Sequence, residues 1–217
     1  HVGQDKRIVL VTYNDETLFN TGIRSPLDRT ILARALANID AMGAKAIGID
    51  ILFDSPRPDD ALLKTQLRAM QTPTWLAYVE QASNPDTIYY EQQKFLEAFL
   101  DEVATDRTRP TSVLFRTDPD GVIRNWPPRP AGLPPLMANA LAPVERAHAA
   151  FQGNIRFRVP ARAAAGQEEP VFANLPIDTF ALPMDEEMRA GFSELVKGRY
   201  VLIGADVVDN DQFNTPL

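Results

Sequence analysis

The sequence predicts an α/β fold, a single domain with a mostly parallel sheet, helices on both faces and an antiparallel hairpin extension. Three observations support this. Residues 8–79 alternate short apolar runs with segments of helical period, as buried parallel strands joined by crossover helices do. A further apolar run, residues 200–204, lies near the end of the chain. Between them Asp118-Pro119-Asp120-Gly121 carries the Asp-Gly signature of a hairpin turn.

The elements follow in order. Residues 8–13 (IVLVTY) form a nearly continuous apolar run, the mark of a strand covered on both faces. Residues 27–42 place Leu32, Ala35, Leu36 and Ile39 at helical spacing, and Gly43 follows as a natural stop. Residues 45–53 (KAIGIDILF) read as a second buried strand, punctuated by Pro56 and Pro58. Asp59-Asp60 then open a helix whose N-terminal dipole favours them, with Leu63, Leu67 and Met70 lining it. A third strand spans residues 74–79 and a helix spans 92–103. After a polar stretch, 104–110, short strands at 112–115 and 122–125 flank the Asp-Gly turn. Residues 134–142 start a helix at their prolines, 155–159 alternate as an edge strand, and the Ala/Gly/charge-rich 161–170 reads as a mobile loop. Residues 188–196 are helical and lead into the last buried strand. With no internal repeat and no linker composition, residues 1–217 form one domain.

Composition removes whole classes of function. A hydrophobic fraction of 45% with 24% charged residues suits a chain that buries a core, which excludes disorder over most of the length. The formal charge of -7 speaks against general nucleic-acid binding, which needs a basic face. No apolar run approaches the roughly 20 residues of a membrane span. The absence of cysteine excludes thiolate nucleophiles, disulfides, iron–sulfur clusters and Cys-ligated zinc together. The chain opens on His1-Val2-Gly3 and stops just after a turn, as a domain excised from membrane anchors would.

In an open parallel sheet, ligands bind beyond the carboxyl ends of the strands. Those positions are acidic here. Asn14, Asp15 and Glu16 follow the first strand, Asp50 lies late in the second with Asp54 past its end, and Asp206, Asp209, Asn210 and Asp211 follow the last. If these strands are neighbours, at least four carboxylates meet on one rim, and their repulsion needs a cation, an arginine or proton sharing. Three readings stand open. In the first, each aspartate caps a helix or holds a turn, with Arg24 or Arg29 pairing the rest. In the second, the rim binds a divalent cation or an amine-bearing ligand; hard oxygen donors without Cys or paired His favour Mg²⁺ or Ca²⁺ over zinc. In the third, the same carboxylates serve a metal-dependent phosphohydrolase.

Other catalytic sets fail. No glycine-rich phosphate cradle, GxSxG elbow or HExxH occurs, and His148 sits in an Ala-rich helical stretch as a surface residue. Trp75 and Trp126 fit strand packing better than a ligand cage. Arg156 and Arg158 alternate along the 155–159 strand as a solvated face.

The ordered set of motifs resembles CHASE2 domains, extracytoplasmic sensor modules of bacterial membrane-bound signalling proteins. The opening strand into Asn14-Asp15-Glu16 is similar to the family's strand and acidic pair. Ser25-Pro26-Leu27-Asp28-Arg29 looks like its Pro-x-x-Arg helix start. The closest match is residues 43–53 (GAKAIGIDILF) followed by Pro58-Asp59-Asp60-Ala61-Leu62. Asp120-Gly121-Val122-Ile123-Arg124 resembles the mid-domain DGxxR turn, and residues 201–204 with Asp211 and Thr215-Pro216-Leu217 resemble the closing strand and tail. The chain departs from the family pattern at Tyr13-Asn14-Asp15, where relatives carry an aliphatic residue and two aspartates. It also departs at the lone Pro26, where relatives have a Trp-Pro-rich segment, and the family pattern continues beyond the final Leu217.

The resemblance implies a sensory module without catalysis or an organic cofactor, a divalent cation being the one inorganic ligand the carboxylates admit. Its implied partners are a small-molecule or cation ligand, flanking transmembrane helices and a cytoplasmic output domain, with no nucleic acid. The output would be a histidine kinase, nucleotide cyclase, diguanylate cyclase or protein kinase, and the setting the periplasmic side of an inner membrane. Homodimerisation, as a scaffold without a small ligand, is a further reading. The expected site is Asp15, Asp50, Asp206 and Asp209, beside Asn14, with Asp54 and Asp211 behind them.

Overall fold

The structure is a computed structural model. It describes residues 3–22, 27–83, 88–127, 132–142, 153–158, 161–162, 168–207 and 215. The strands are β1 (Asp5–Asn14), β2 (Ala46–Ile49), β3 (Thr74–Tyr78), β4 (Thr108–Ser112), β5 (Ala161–Arg162), β6 (Glu168–Glu169), β7 (Phe172–Pro176) and β8 (Tyr200–Asp206). The helices among the described residues are α1 (Asp15–Thr21), α2 (Arg29–Ala41), α3 (Asp60–Ala69), α4 (Tyr90–Val103), α5 (Met137–Leu141), α6 (Ile177–Ala181) and α7 (Glu186–Val196).

Six strands form one sheet in the order β4-β3-β2-β8-β1-β7, and every pairing in it is parallel. The last strand is therefore inserted between the first two. Ile47 and Ile49 of β2 point into the same layer as Val9 and Val11 of β1 and Val201 and Ile203 of β8, all buried in one cluster with Leu32, Leu36 and Ile39 of α2. Leu63 and Leu67 of α3, Leu96 and Phe99 of α4, Phe180 of α6 and Val196 of α7 complete that layer. Each such side chain, fully buried, contributes about 1.5–3 kcal/mol. The alternate residue of β2, Gly48, faces the other way, towards α5. A Cβ there would sit 2.8 Å from Met137 Sδ and 2.9 Å from Leu141 Cδ1, so the helix approaches a strand that must lack a side chain. Helices thus cover both faces, as expected.

Local chemistry explains the helix ends. Asp28 accepts from the amides of Thr30 and Ile31 at 2.8 and 3.0 Å, starting α2. Gly43, at φ 74°, ends it in the left-handed conformation that glycine tolerates best. Asn14 accepts from the Thr17 amide at 3.0 Å and so converts the end of β1 directly into α1.

Several expectations need correction. The strand expected at 112–115 is instead β4, which lies within and just beyond the stretch read as polar loop. Pro110 is tolerated because β4 is an edge strand. The other edge strand, β7, and α6 were unforeseen for the same reason: short, polar or proline-bearing segments carry no period. The Asp-Gly turn forms, with the Gly121 amide on the Asp118 carbonyl (2.8 Å) and the Asp118 amide on the Val122 carbonyl (2.9 Å). Its expected strands do not form around it. Arg124 turns back onto Asp118 and Asp120 (2.9 and 2.8 Å), and the short polar arms build no ladder. Antiparallel pairing occurs only as β5–β6 and a single Asn125–Asn154 bridge among the described residues, so 155–159 is not a regular strand where described. The loop expected over 161–170 begins and ends in that β5–β6 pair. The expected helical stretch around His148 and most of the tail after residue 207 lie outside the described residues.

At the amino end of β1, Asp5 is buried beneath two arginines. Arg7 donates from Nη2 at 2.6 Å and Nε at 3.0 Å, and Arg158 from Nη1 at 2.9 Å. The hydrogen bonds from Arg7 hold its carboxyl well below the ordinary value of 3.8, with both arginine charges adding to the effect. A depressed carboxylate stabilises the fold above its unfolded pKa and loses that contribution as pH falls. Urea midpoints of the native chain should therefore drop as pH falls below about 4. Asp5→Asn should be less stable at pH 7 and show a flatter acid limb.

Candidate functional site

The insertion of β8 decides which strand ends meet. Asn14 and Asp206 are register partners at the carboxyl ends of β1 and β8. On the other side of β8, the Asp50 amide donates to the Ile203 carbonyl at 2.8 Å, which sets Asp50 beside Gly204. A Cβ on Gly204 would lie 3.7 Å from the Cβ of Asp50. Asn14, Asp206 and Asp50 therefore stand at the carboxyl ends of three successive strands, Asp50 just past the last residue of β2. Asp50 is two residues behind Asp206, about 6.6 Å along the strand direction at ~3.3 Å per residue. Both carboxylates are exposed.

A polar ladder flanks them. Asn174 of β7 donates from Nδ2 to Asp206 Oδ2 at 3.4 Å and accepts from Thr12 Oγ1 at 2.9 Å. Neither Asn174 nor Thr12 was visible as a rim residue in the sequence, because β7 itself was not. The rim thus spans the ends of β2, β8 and β1 beside β7, with the Asp50 and Asp206 carboxylates exposed and the amide oxygens of Asn14 and Asn174 engaged by Thr17 and Thr12.

The other expected site residues divide. Asp15 is the exposed first residue of α1, where it complements the helix dipole. Asp54 turns away: its Oδ2 accepts from Gln92 Nε2 of α4 at 2.7 Å and its Oδ1 from Ser55 Oγ at 3.3 Å. Asp209, Asn210 and Asp211 lie outside the described residues, as do Arg24 and Pro26. Among the described residues no three His, Asp or Glu side chains gather as a metal centre. Trp75 and Trp126 are half-buried.

A second cluster lies at the N-terminal ends of α2 and α3. The Arg29 side chain is only 1% exposed, and its Nε donates to Asp60 Oδ1 at 2.8 Å. Its guanidinium carbon lies 4.7 Å from the centroid of the Phe53 ring. Phe53 stacks on Phe99 at 4.6 Å, and Lys64 Nζ sits 5.0 Å over Phe99 while pairing with Glu102 at 2.8 Å. Two cations thus bracket two stacked rings, tying α2, α3 and α4 to the segment after β2. Asp60 Oδ2 accepts from the Arg57 amide at 2.9 Å, and Asp59, at φ 62°, accepts from Thr30 Oγ1 at 3.0 Å instead of capping α3. Nη1 and Nη2 of Arg29 are buried without a hydrogen-bond partner among the described residues. The arginine thus pairs an aspartate, but Asp60 rather than one of the rim.

The model of the CHASE2 domain family matches residues 2–217. The chain belongs to the CHASE2 domain family. CHASE2 domains are extracellular sensor domains of signalling proteins, sensory rather than catalytic, and they sit in membrane proteins that carry output domains. No curated protein and no solved structure matches the chain. In this CHASE2 domain no helix among the described residues is long and apolar enough to cross a membrane. The segments that carry the family resemblance also supply both clusters: β2 and the stretch after it, with Asp50 and Phe53, and the helix start with Arg29.

Proposed function

We propose that this CHASE2 domain is the ligand-binding sensory module of a bacterial inner-membrane signalling protein, facing the periplasm. Its rim of Asn14, Asp50 and Asp206, with Asp15 and, on the sequence alone, Asp209 as further members, takes a cation or an amine-bearing small molecule. The observation that carries this reading is the placement of the ends of β1, β8 and β2 side by side at the carboxyl edge of the sheet, with two exposed carboxylates. Two like charges held near each other favour a ligand of opposite charge. Binding shifts the population of domain conformers, and flanking transmembrane helices carry that bias to a kinase or cyclase output.

The test is the melting temperature with and without millimolar Ca²⁺, Mg²⁺ or ethylamine. A probe at about 100 times its Kd adds roughly 2.7 kcal/mol, or several degrees in a domain of this size. The expected result is a rise with one probe that Asp50→Asn removes. No rise with any probe, together with unchanged stability of Asp50→Asn, would sink the proposal. Turnover of a phosphate ester with Mg²⁺ or Mn²⁺ would replace it with a hydrolase.

A further inference from the structure

We infer that the Arg29 corner is a second ligand site, one that takes a small carboxylate on the unpartnered edge of the guanidinium. A guanidinium has five N–H donors, and four of them are on Nη1 and Nη2. Asp60 engages Nε alone, so the edge that matches a carboxylate or phosphate by two parallel hydrogen bonds is left without an acceptor among the described residues. Buried donors are nearly always satisfied, and an exception calls for a cause. Here the exception is placed where a ligand belongs. Arg29 is the first residue of α2, a helix of 13 residues, and faces the first residue of α3 across the ion pair. Both helix starts lie towards the carboxyl edge of the parallel sheet, and their dipoles favour an anion.

The Asp28 carboxylate already occupies the amides of Thr30 and Ile31, so recognition runs through the side chain rather than through the helix backbone. Local charge selects the ligand. Asp28, Asp59 and Asp60 stand at this corner, so a carboxylate with one negative charge is tolerated better than a phosphate with up to two. Phe53 covers one face of the guanidinium and leaves its edge as the direction of approach. Because neither terminal nitrogen reaches solvent, the ligand enters only as the N-terminal ends of α2 and α3 part. Its binding therefore biases the α2–α3 contact, which suits a sensor. The site is distinct from the acidic rim and takes a ligand of the opposite charge, so it stands or falls separately.

The experiment is a titration of the arginine-labelled chain with sodium acetate, against sodium chloride of equal ionic strength and against sodium phosphate. Arg29 Nε–H and Nη resonances and the melting temperature are followed together. Saturable shifts of the Arg29 signals and a rise of several degrees with acetate are expected, absent in chloride. The rise should be lost in Arg29→Lys, which keeps the charge but not the fork, and retained in Asp50→Asn. Absence of any saturable Arg29 shift, or an equal rise in Arg29→Lys, overturns the site. Tighter binding of phosphate than of acetate overturns the carboxylate assignment. If Arg29→Lys does not fold, the native titration decides alone.

Discussion

Asp60→Ala should lower stability by about 3–5 kcal/mol, because it leaves the buried Arg29 guanidinium without its ion-pair partner. The pair is 1% and 15% exposed at 2.8 Å, so solvent offers the arginine almost no compensation. In a domain of this size the loss corresponds to a fall of roughly 6–20 °C in melting temperature. Urea unfolding checks it, with an unchanged m-value marking a simple loss of stability. The double variant Asp60→Ala/Arg29→Met should recover part of the loss, since an apolar side chain in the same space needs no partner. A double variant as unstable as Asp60→Ala would mean that Asp60 acts through the Arg57 amide it accepts from, and not through Arg29.

Phe53→Ala should cost a similar ~3–5 kcal/mol. Phe53 is fully buried between the Arg29 guanidinium and the Phe99 ring, so truncation opens a cavity and also removes one layer of a four-membered stack. Phe53→Leu, which keeps most of the volume, should cost less than half as much. At the far end of the stack Lys64→Ala should lose about 1 kcal/mol or less, because its partner Glu102 is 55% exposed and the ion pair is screened. Denaturation midpoints of the three variants would therefore rank Phe53→Ala below Phe53→Leu and Lys64→Ala.

Much of this fold is legible in the sequence. The apolar runs of β1, β2, β3 and β8 announce themselves, because strands in the middle of a parallel sheet are buried on both sides. The helical period of α2, α3 and α4 is equally plain. The order of the strands is not encoded in any period. Nothing local in Tyr200–Asp206 says that β8 enters between β1 and β2, yet that insertion is what sets Asp50, Asp206 and Asn14 side by side. Edge strands are illegible for another reason: β4 and β7 carry Pro110 and Pro176 and mix polar with apolar residues, because one side of an edge needs no hydrogen-bonded neighbour.

Site residues follow the same division. Asp50 and Asp206 are legible from their positions at strand ends. The diversion of Asp54 to Gln92 depends on a partner 38 residues away. The pairing of Arg29 with Asp60 depends on one 31 residues away, and the orphan edge of that arginine emerges only once burial is known. Asn174 joins the rim solely through the placement of β7.

The acidic rim as a binding surface is tested most directly by titrating the ¹⁵N-labelled chain with Ca²⁺, Mg²⁺ and ethylamine and mapping the amide shifts. The expected result is a saturable response to one of them, concentrated at Asn14, Asp50, Gly204 and Asp206 and lost in Asp50→Asn. Saturable shifts confined to other parts of the domain, or none that saturate with any of the three, would contradict the account.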